Sequence, residues 1–259
     1  GRSGGAAYTG SIVGYSLATL TGTFSSATVT AEVYAGGLVG QQGGGSISNS
    51  YFSGSVTATA DLAGGLVGQL DGGSLSNNFV SGRVTASSGN GFAGGIMGSN
   101  FGNTVSSGNF WDTNATGQLY AEGEWMVLPT QSGGLTTTQI QTLSTFSNAG
   151  WDLDKTWVVY NGSSGPLLRS FMTQLNVVAG DVTKTYDGTA FGGAYTPNLD
   201  ADSRLTGSLV LGGTGVGAIN AGDYSLKLSG LASTGGQFGY SINYIDGTLS
   251  VNKATLSTA

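Results

Sequence analysis

Three glycine-bracketed apolar runs recur along this chain and limit what it can fold into. Residues 35–40 read Ala-Gly-Gly-Leu-Val-Gly, residues 63–68 repeat the same letters, and residues 93–98 read Ala-Gly-Gly-Ile-Met-Gly. The copies begin 28 and then 30 residues apart. A repeat of this length is typical of proteins in which each copy forms one layer of a stack. The sequence therefore predicts a solenoid for this part of the chain.

Further matches between the copies predict three short strands in each repeat. At a shift of 28 residues, segment 46–51 aligns with 74–79, and segment 53–58 aligns with 81–86. Strands this short need partners from neighbouring copies, and parallel stacking with a rise of about 4.8 Å per coil supplies them. Equivalent aliphatic residues then form three inner columns: Leu38, Leu66 and Ile96; Ile47, Leu75 and Val105; Val29, Val56 and Val84.

The two ends of the repeat region differ from its middle. The segment before residue 35 is a weaker copy with strand candidates at 11–14 and 27–31, so we expect about four coils. Parallel crossover connections favour right-handed winding. The third copy departs from the pattern after Ser106, where one extra residue and the adjacent Phe110 and Trp111 follow. Such a bulky pair is suited to plugging the end of a stack, where core and strand edges need covering.

One segment has the pattern of a helix. Residues 136–146 begin with three threonines that can cap a helix, and Ile140, Leu143 and Phe146 follow at a spacing of three. We expect a single short helix, packed against the last coil together with segments 151–160 and 165–169.

The repeat is lost from residue 175 onward. Short alternating runs at 175–178, 208–211, 224–228, 240–244 and 248–251 predict a small, mostly antiparallel β module. The predicted fold class is all-β: a right-handed parallel β-helix with a short capping helix, followed by a small β-rich module. Its segments are coils in 1–120, a cap and linker in 121–174, and the module with the start of a following one in 175–259.

The composition argues against several classes of function. The chain has no Cys and no His, which excludes thiol and imidazole catalysis, the usual zinc sites and disulfides. Its net charge is −6 and its eight basic residues are scattered, which argues against nucleic-acid binding. No apolar run reaches the roughly 18 residues of a membrane span, and residues 1–30 lack the pattern of a signal peptide. Because the chain starts inside a glycine-rich pattern, we expect it to be a segment of a longer protein.

Both parts resemble modules of one class of bacterial adhesin. Gly-Gly-Leu-Val-Gly at 36–40 with Gly-Ser-Ile-Ser-Asn-Ser-Tyr at 45–51 resembles the GLUG repeat of large secreted adhesins similar to filamentous haemagglutinin, and the likeness extends from residue 35 to about 118. Lys-Thr-Tyr-Asp-Gly-Thr at 184–189 and Gly-Thr-Leu-Ser-Val-Asn-Lys-Ala at 247–254 resemble the YDG module of the same class. The resemblance implies a long right-handed β-helix, two-partner secretion through an outer-membrane transporter, and a secreted or cell-surface location.

Aromatic and amide side chains recur at equivalent places in the repeats. Four aromatic residues are candidates for contact with a sugar, although an aromatic stack inside the fold is the more common use of such rings: Tyr51, Phe79, Phe110 and Trp111. Asn49 and Asn77 are expected to form a short amide ladder. Tyr186 of the Tyr-Asp-Gly triplet is expected to lie across the core of the second module, with Asp-Gly making a turn.

Acidic pairs and threonine rows offer two further kinds of site. Carboxylates two residues apart at 122/124, 152/154 and 200/202 are candidates for Ca²⁺ ligands or for the acid and base of a glycosidase, with solvated loop acids as the alternative. Thr28 with Thr30, Thr57 with Thr59, and Thr85 are candidates for a hydroxyl array that binds ice, with a plain strand face as the alternative.

The sequence therefore predicts a non-enzymatic segment of a large adhesin. We expect it to act as a stalk or display segment in attachment or biofilm formation, which either holds a distal binding region away from the cell or itself binds a host or matrix glycan or protein. It needs no cofactor, with Ca²⁺ as the one candidate ion. A polysaccharide-processing β-helix enzyme and an ice-binding solenoid are the alternatives.

Overall fold

The computed structural model describes residues 7–87, 89, 91–102, 105–123, 133–193 and 203–255. The chain divides into two compact units, Gly1–Ser170 and Phe171–Ala259. The first unit contains the repeats together with the segment that follows them up to residue 170.

The first unit is a stack of four coils of short strands. Coil 1 holds β1 (Tyr8–Gly10), β2 (Val13–Ser16), β3 (Leu20–Thr21), β4 (Phe24–Ser25) and β5 (Thr28–Ala31). Coil 2 holds β6 (Tyr34–Gly36), β7 (Val39–Gln42), β8 (Ser46–Ser48), β9 (Tyr51–Phe52) and β10 (Ser55–Ala58). Coil 3 holds β11 (Leu62–Gly64), β12 (Val67–Leu70), β13 (Ser74–Ser76), β14 (Phe79–Val80) and β15 (Arg83–Ala86). Coil 4 holds β16 (Phe92–Gly94), β17 (Met97–Asn100), β18 (Val105–Ser107) and β19 (Phe110–Asp112).

Equivalent strands of successive coils pair in parallel and form five sheets, numbered here in the order in which coil 1 supplies them. Sheet 1 contains β1, β6, β11 and β16; sheet 2 contains β2, β7, β12 and β17; sheet 3 contains β3, β8, β13 and β18. Sheet 4 contains β4, β9, β14 and β19, and sheet 5 contains β5, β10 and β15. The predicted β-solenoid of about four coils is confirmed.

Each of the first three coils has five strands, whereas the sequence predicts three. Two of the three predicted strands bend in the middle and contribute to two sheets each. The bend between sheets 3 and 4 uses a left-handed backbone, with positive φ at Gly22, Asn49, Asn77 and Gly108. Glycine and asparagine tolerate this conformation better than other residues, which explains why all four coils have one of them there.

The inner columns follow the prediction with one exception. Leu38, Leu66 and Ile96 are fully buried. The valine column is in register as well, since Val56 pairs with Val29 on one side and Val84 on the other.

The exception is Val105. The prediction that it pairs with Leu75 is wrong. Ser106 pairs with Leu75, and Val105 pairs with Ser74. The extra residue of the last copy precedes β18 and does not follow Ser106, because Leu70 pairs with Asn100 at a shift of 30 whereas Ser74 pairs with Val105 at a shift of 31.

The end of the stack is closed by the chain that follows coil 4. Helix α1 (Thr113–Thr116) begins directly after β19, and β20 (Gly133–Leu135) adds a parallel strand to sheet 4. Backbone from Tyr120 to Gly123 pairs with coil 4, where Ile96 N donates to Ala121 O at 2.9 Å. The Trp111 side chain is fully buried beneath this layer, and its Nε1 donates to Gln118 O at 2.8 Å. Trp111 therefore plugs the core as predicted.

A second covering layer lies along sheet 4, and we call residues 136–168 the strap. It holds α2 (Thr137–Ile140), α3 (Leu143–Asn148) and the antiparallel pair β21 (Trp157–Val158) and β22 (Leu167–Leu168).

The predicted single helix of the strap is wrong, because the chain breaks between α2 and α3. Thr142 has an extended backbone, and the Leu143 amide donates to Asn161 Oδ1 at 3.0 Å, a partner 18 residues away. The break lets Ile140 and Phe146 both face the coils, while Leu143 is left 42% exposed.

The second unit is a small β module with mixed pairing. A 3₁₀ turn at Arg169–Phe171 ends at the first residue of this unit, and another lies at Gly236–Phe238. Its strands are β23 (Thr173–Val178), β24 (Val182–Thr185), β25 (Leu205–Gly212), β26 (Gly222–Ser233), β27 (Tyr240–Ile245) and β28 (Gly247–Asn252).

All five predicted strands of this unit are present, and β24 was not predicted. Pairs β23–β27 and β24–β28 are parallel, whereas β25–β26 and β26–β28 are antiparallel. The expected mostly antiparallel arrangement is therefore only half right. Leu226, Leu249 and Val251 are among its most buried residues.

Candidate functional site

Three of the four predicted sugar-contact residues form one column with Phe24. The register of sheet 4 aligns Phe24, Tyr51, Phe79 and Phe110. The rings of Phe24 and Tyr51 lie 5.3 Å apart, and those of Tyr51 and Phe79 lie 5.4 Å apart. The next residue of each strand points the opposite way, so Phe52, Val80 and Trp111 belong to the core.

The strap covers this aromatic column. Phe146 meets Phe110 and Phe79 edge-on, with ring centroids 5.5 and 6.4 Å apart, and Trp151 lies 5.8 Å from Phe110. Tyr51, Phe79 and Phe110 are consequently no more than 8% exposed. The rings stack on protein, and a sugar could reach them only if the strap moved. Contact between these residues and a carbohydrate stays a prediction.

Polar groups of the strap hold it to the coils. Trp157 Nε1 donates to Asn49 Oδ1 at 3.3 Å, and Trp151 Nε1 donates to Gly108 O at 3.0 Å. The Tyr51 hydroxyl lies 2.8 Å from Ser81 Oγ, and burial raises the pKa of this phenol above its ordinary value. The column is thus a dry packing surface in which Tyr51 stays protonated at neutral pH.

A buried amide ladder runs between coils, one residue away from the predicted one. Asn78 Nδ2 donates to Asn109 Oδ1 at 2.8 Å and to Ile47 O at 2.9 Å, and Ser50 N donates to Asn78 Oδ1 at 2.9 Å. Asn78 and Asn109 are fully buried. The predicted members Asn49 and Asn77 occupy the left-handed bend, so their role is different.

The threonine rows are interrupted. Thr57 pairs with Thr30 and Thr85, and Thr57 Oγ1 lies 3.1 Å from Thr85 Oγ1. Thr28 instead pairs with Ser55, which pairs with Arg83. The two Thr-x-Thr segments are therefore shifted relative to each other, and a regular two-column threonine array is not formed by these residues.

The acidic pairs have different surroundings. Asp152 closes a turn: its Oδ1 accepts from Lys155 N at 3.0 Å and its Oδ2 accepts from Thr156 Oγ1 at 2.9 Å. These bonds, led by the one from Lys155 N, lower the pKa of Asp152, which is the behaviour of a turn-forming acid. Glu124 and the pair 200/202 lie outside the described residues. Glu122 is buried, and its Oε1 accepts from Asn100 N at 2.9 Å.

A polar cluster on sheet 2 was not predicted from the sequence. Asp71 accepts hydrogen bonds from the amide groups of Gln41 and Gln69, the latter at 2.6 Å. Gln69 is in register with Gln41 on one side and Ser99 on the other. The repeat spacing alone places these three positions in one column, but a single carboxylate gave no chemical signal to look there. No group of three or more His, Cys, Asp or Glu residues suited to a metal occurs in the described part of the chain.

The Tyr-Asp-Gly triplet of the second unit makes a turn. Asp187 accepts from Lys184 Nζ and, at 2.8 Å, from Thr189 N, and these bonds lower its pKa, with the lysine contact first. Tyr186 is 42% exposed, so its expected place across the module core is wrong. The hydrogen bonds of Asp187 stabilise this loop, while the Tyr186 ring lies at the surface.

Comparison with known proteins finds one family model. The model described as the GLUG motif matches residues 31–57, which run from the end of β5 to β10 and so cover about one coil. No curated protein and no solved structure matches the chain significantly. None of the helices in the described residues has the length and apolar character needed to cross a bilayer.

Proposed function

We propose that this chain is a non-enzymatic segment of a large bacterial adhesin that is secreted or displayed on the cell surface. One observation carries the proposal: a GLUG-matching coil is stacked in register with three others around a core of fully buried aliphatic side chains such as Leu38, Leu66 and Ile96. A repetitive, filled stack is suited to holding other parts of a protein at a distance.

The surface chemistry supports attachment over catalysis. The half-buried serines of sheet 3, with Ser48 Oγ donating to Thr21 Oγ1 at 3.2 Å, present hydroxyl groups and no charge. Such a surface suits contact with a neutral glycan or a protein. The YDG-like second unit, export by two-partner secretion through an outer-membrane transporter, and a role in biofilm formation follow from the resemblance and belong to the same proposal.

The first test measures binding and turnover with the purified whole chain. We expect retention of chain-coated beads on a glycan array or on immobilised matrix proteins, and no release of reducing ends or unsaturated products from a panel of polysaccharides. Turnover that Glu122→Gln or Asp71→Asn abolishes would instead identify a polysaccharide-processing enzyme.

The second test concerns location. Antibodies raised against the chain should label intact cells of the source bacterium as strongly as permeabilised ones. Labelling that appears only after permeabilisation would refute the surface location while leaving the binding result intact.

A further inference from the structure

Among the described residues, three buried side-chain oxygens on sheet 2 lack hydrogen-bond partners: Gln42 Oε1, Gln69 Oε1 and Ser99 Oγ. Gln42 is in register with Leu70, one position further along the strand than the column that holds Gln69 and Ser99. Gln69 is 9% exposed and Ser99 is fully buried. The two residues are register partners on β12 and β17, so their side chains lie on the same face about 5 Å apart. Because a buried polar atom without a partner is costly, this pair points to a bound group.

Two carboxylates flank the pair. Asp71 holds the amide nitrogen of Gln69 at 2.6 Å, and the Gln41 amide also donates to Asp71. On the other side, Glu122 Oε1 accepts from the amide of Asn100, the residue next to Ser99. We call Gln69, Asp71, Ser99 and Glu122 the sheet 2 oxygen cluster. Its four side chains lie on β12 and β17 or directly beside them, and they offer carboxylate, amide and hydroxyl oxygens with two formal negative charges.

We propose that the sheet 2 oxygen cluster binds Ca²⁺. Calcium takes carboxylate, side-chain carbonyl and hydroxyl or water oxygens in flexible geometry, whereas Mg²⁺ requires strict octahedral geometry and keeps most of its waters. Gln69 Oε1 and Ser99 Oγ supply two of the ligands, and Asp71 and Glu122 supply charge. With only two carboxylates, we expect a Kd on the order of 10⁻⁴ to 10⁻³ M, as in extracellular calcium modules. This inference does not depend on the proposed role in attachment.

The test is a calcium titration of the whole chain. All four tryptophans, at positions 111, 125, 151 and 157, belong to the first unit, so their fluorescence follows the unfolding of that unit alone. We expect Ca²⁺ in the millimolar range to raise its melting temperature relative to chelator, and Mg²⁺ at the same concentration to raise it less. Calorimetric titration gives the Kd.

The variants separate a calcium site from general stabilisation. Asp71→Asn and Glu122→Gln should each weaken the Kd at least tenfold, whereas Asp154→Asn, which removes an exposed carboxylate from the same unit, should leave it unchanged. Ser99→Ala removes one partnerless oxygen, so in chelator it should melt no lower than the parent chain, yet it should gain less from calcium.

Two results would overturn the proposal. One is that calcium does not change the melting temperature of the parent chain and that the calorimetric titration shows no heat of binding. Water would then be the occupant of the cluster. The other is an equal loss of calcium response in Asp154→Asn and Asp71→Asn, which would indicate screening of surface charge. If Asp71→Asn fails to fold, the comparison of Ser99→Ala with the parent chain decides alone.

Discussion

Replacing Asn78 by alanine tests whether buried amides hold neighbouring coils together. Asn78 is fully buried, and its side chain makes three hydrogen bonds: it accepts from Ser50 N at 2.9 Å and donates to Ile47 O at 2.9 Å and Asn109 Oδ1 at 2.8 Å. These bonds connect coils 2, 3 and 4. Alanine removes all three and leaves the buried Ser50 amide without an acceptor.

The expected cost follows from these contacts. An unsatisfied buried donor such as Ser50 N–H costs about 1–3 kcal/mol, and each of the two lost donations from Asn78 Nδ2 costs about 0.5–1.5 kcal/mol. The free energy of unfolding of the first unit should therefore fall by about 2–6 kcal/mol. That is a large fraction of the roughly 5–15 kcal/mol that stabilises a typical domain.

Urea unfolding followed by tryptophan fluorescence measures the change, because the tryptophans lie only in the first unit. Ser76→Ala is the matched control: the residue is two positions earlier in coil 3 but half-buried, so its removal should change the free energy by no more than about 0.5 kcal/mol. If Asn78→Ala loses less than about 1 kcal/mol, the amide bonds are not what holds the coils in register.

Three further changes test other parts of the first unit. Leu66→Ala in the filled core should lower the free energy of unfolding by about 2–5 kcal/mol, while Leu119→Ala, at a position 74% exposed, should lower it by less than about 0.5 kcal/mol; equal losses would contradict the inner column. Phe146→Ala should cost about 3–5 kcal/mol and shift tryptophan emission to the red as the strap loosens, and unchanged emission would show that other contacts hold it. Tyr51 should ionise above the ordinary tyrosine pKa of about 10 in an ultraviolet titration; because the folded state keeps this proton longer than the unfolded chain, stability should fall as pH rises above about 10, and Tyr51→Phe should reduce that fall.

The repeat spacing was sufficient to predict the inner columns. Leu38, Leu66 and Ile96 each directly follow a Gly-Gly pair in the sequence, so one alignment of the repeats places all three in the core. The same reasoning failed at Val105, because a spacing of 30 places it beside Leu75, whereas the extra residue before β18 makes the spacing 31. The actual register is consistent with two side-chain contacts that a pattern of apolar residues does not reveal: the Asn78–Asn109 amide bond and the pairing of Phe79 with Phe110.

The strap was harder to predict because tertiary contacts decide its local structure. Residues 136–146 have a helical pattern, but the Leu143 amide donates to Asn161 Oδ1 at the point where the second helix begins. Because Asn161 lies 18 residues beyond Leu143, the sequence of the helical segment alone does not predict this hydrogen bond. The burial of the candidate sugar-contact residues was hard to predict for a related reason: Tyr51 and Phe79 lie on a sheet face that would be exposed if the strap did not cover it.

Inner and outer residues of the stack differ in how strongly the fold depends on them. Leu66 is part of the core that the coils share, and its backbone bonds to Ile96 on one side and to Leu38 on the other, so a change there weakens several layers at once. The side chain of an outer residue such as Ser48 makes a single hydroxyl bond to Thr21 of the neighbouring coil, so this side chain can change without loss of the fold. Positions where the copies differ in chemistry, as Gln41, Gln69 and Ser99 do along one column, are therefore where a stacked protein can acquire a specific ligand. The sheet 2 oxygen cluster has this property, since Ser99 of coil 4 occupies the position of Gln41 and Gln69 in coils 2 and 3.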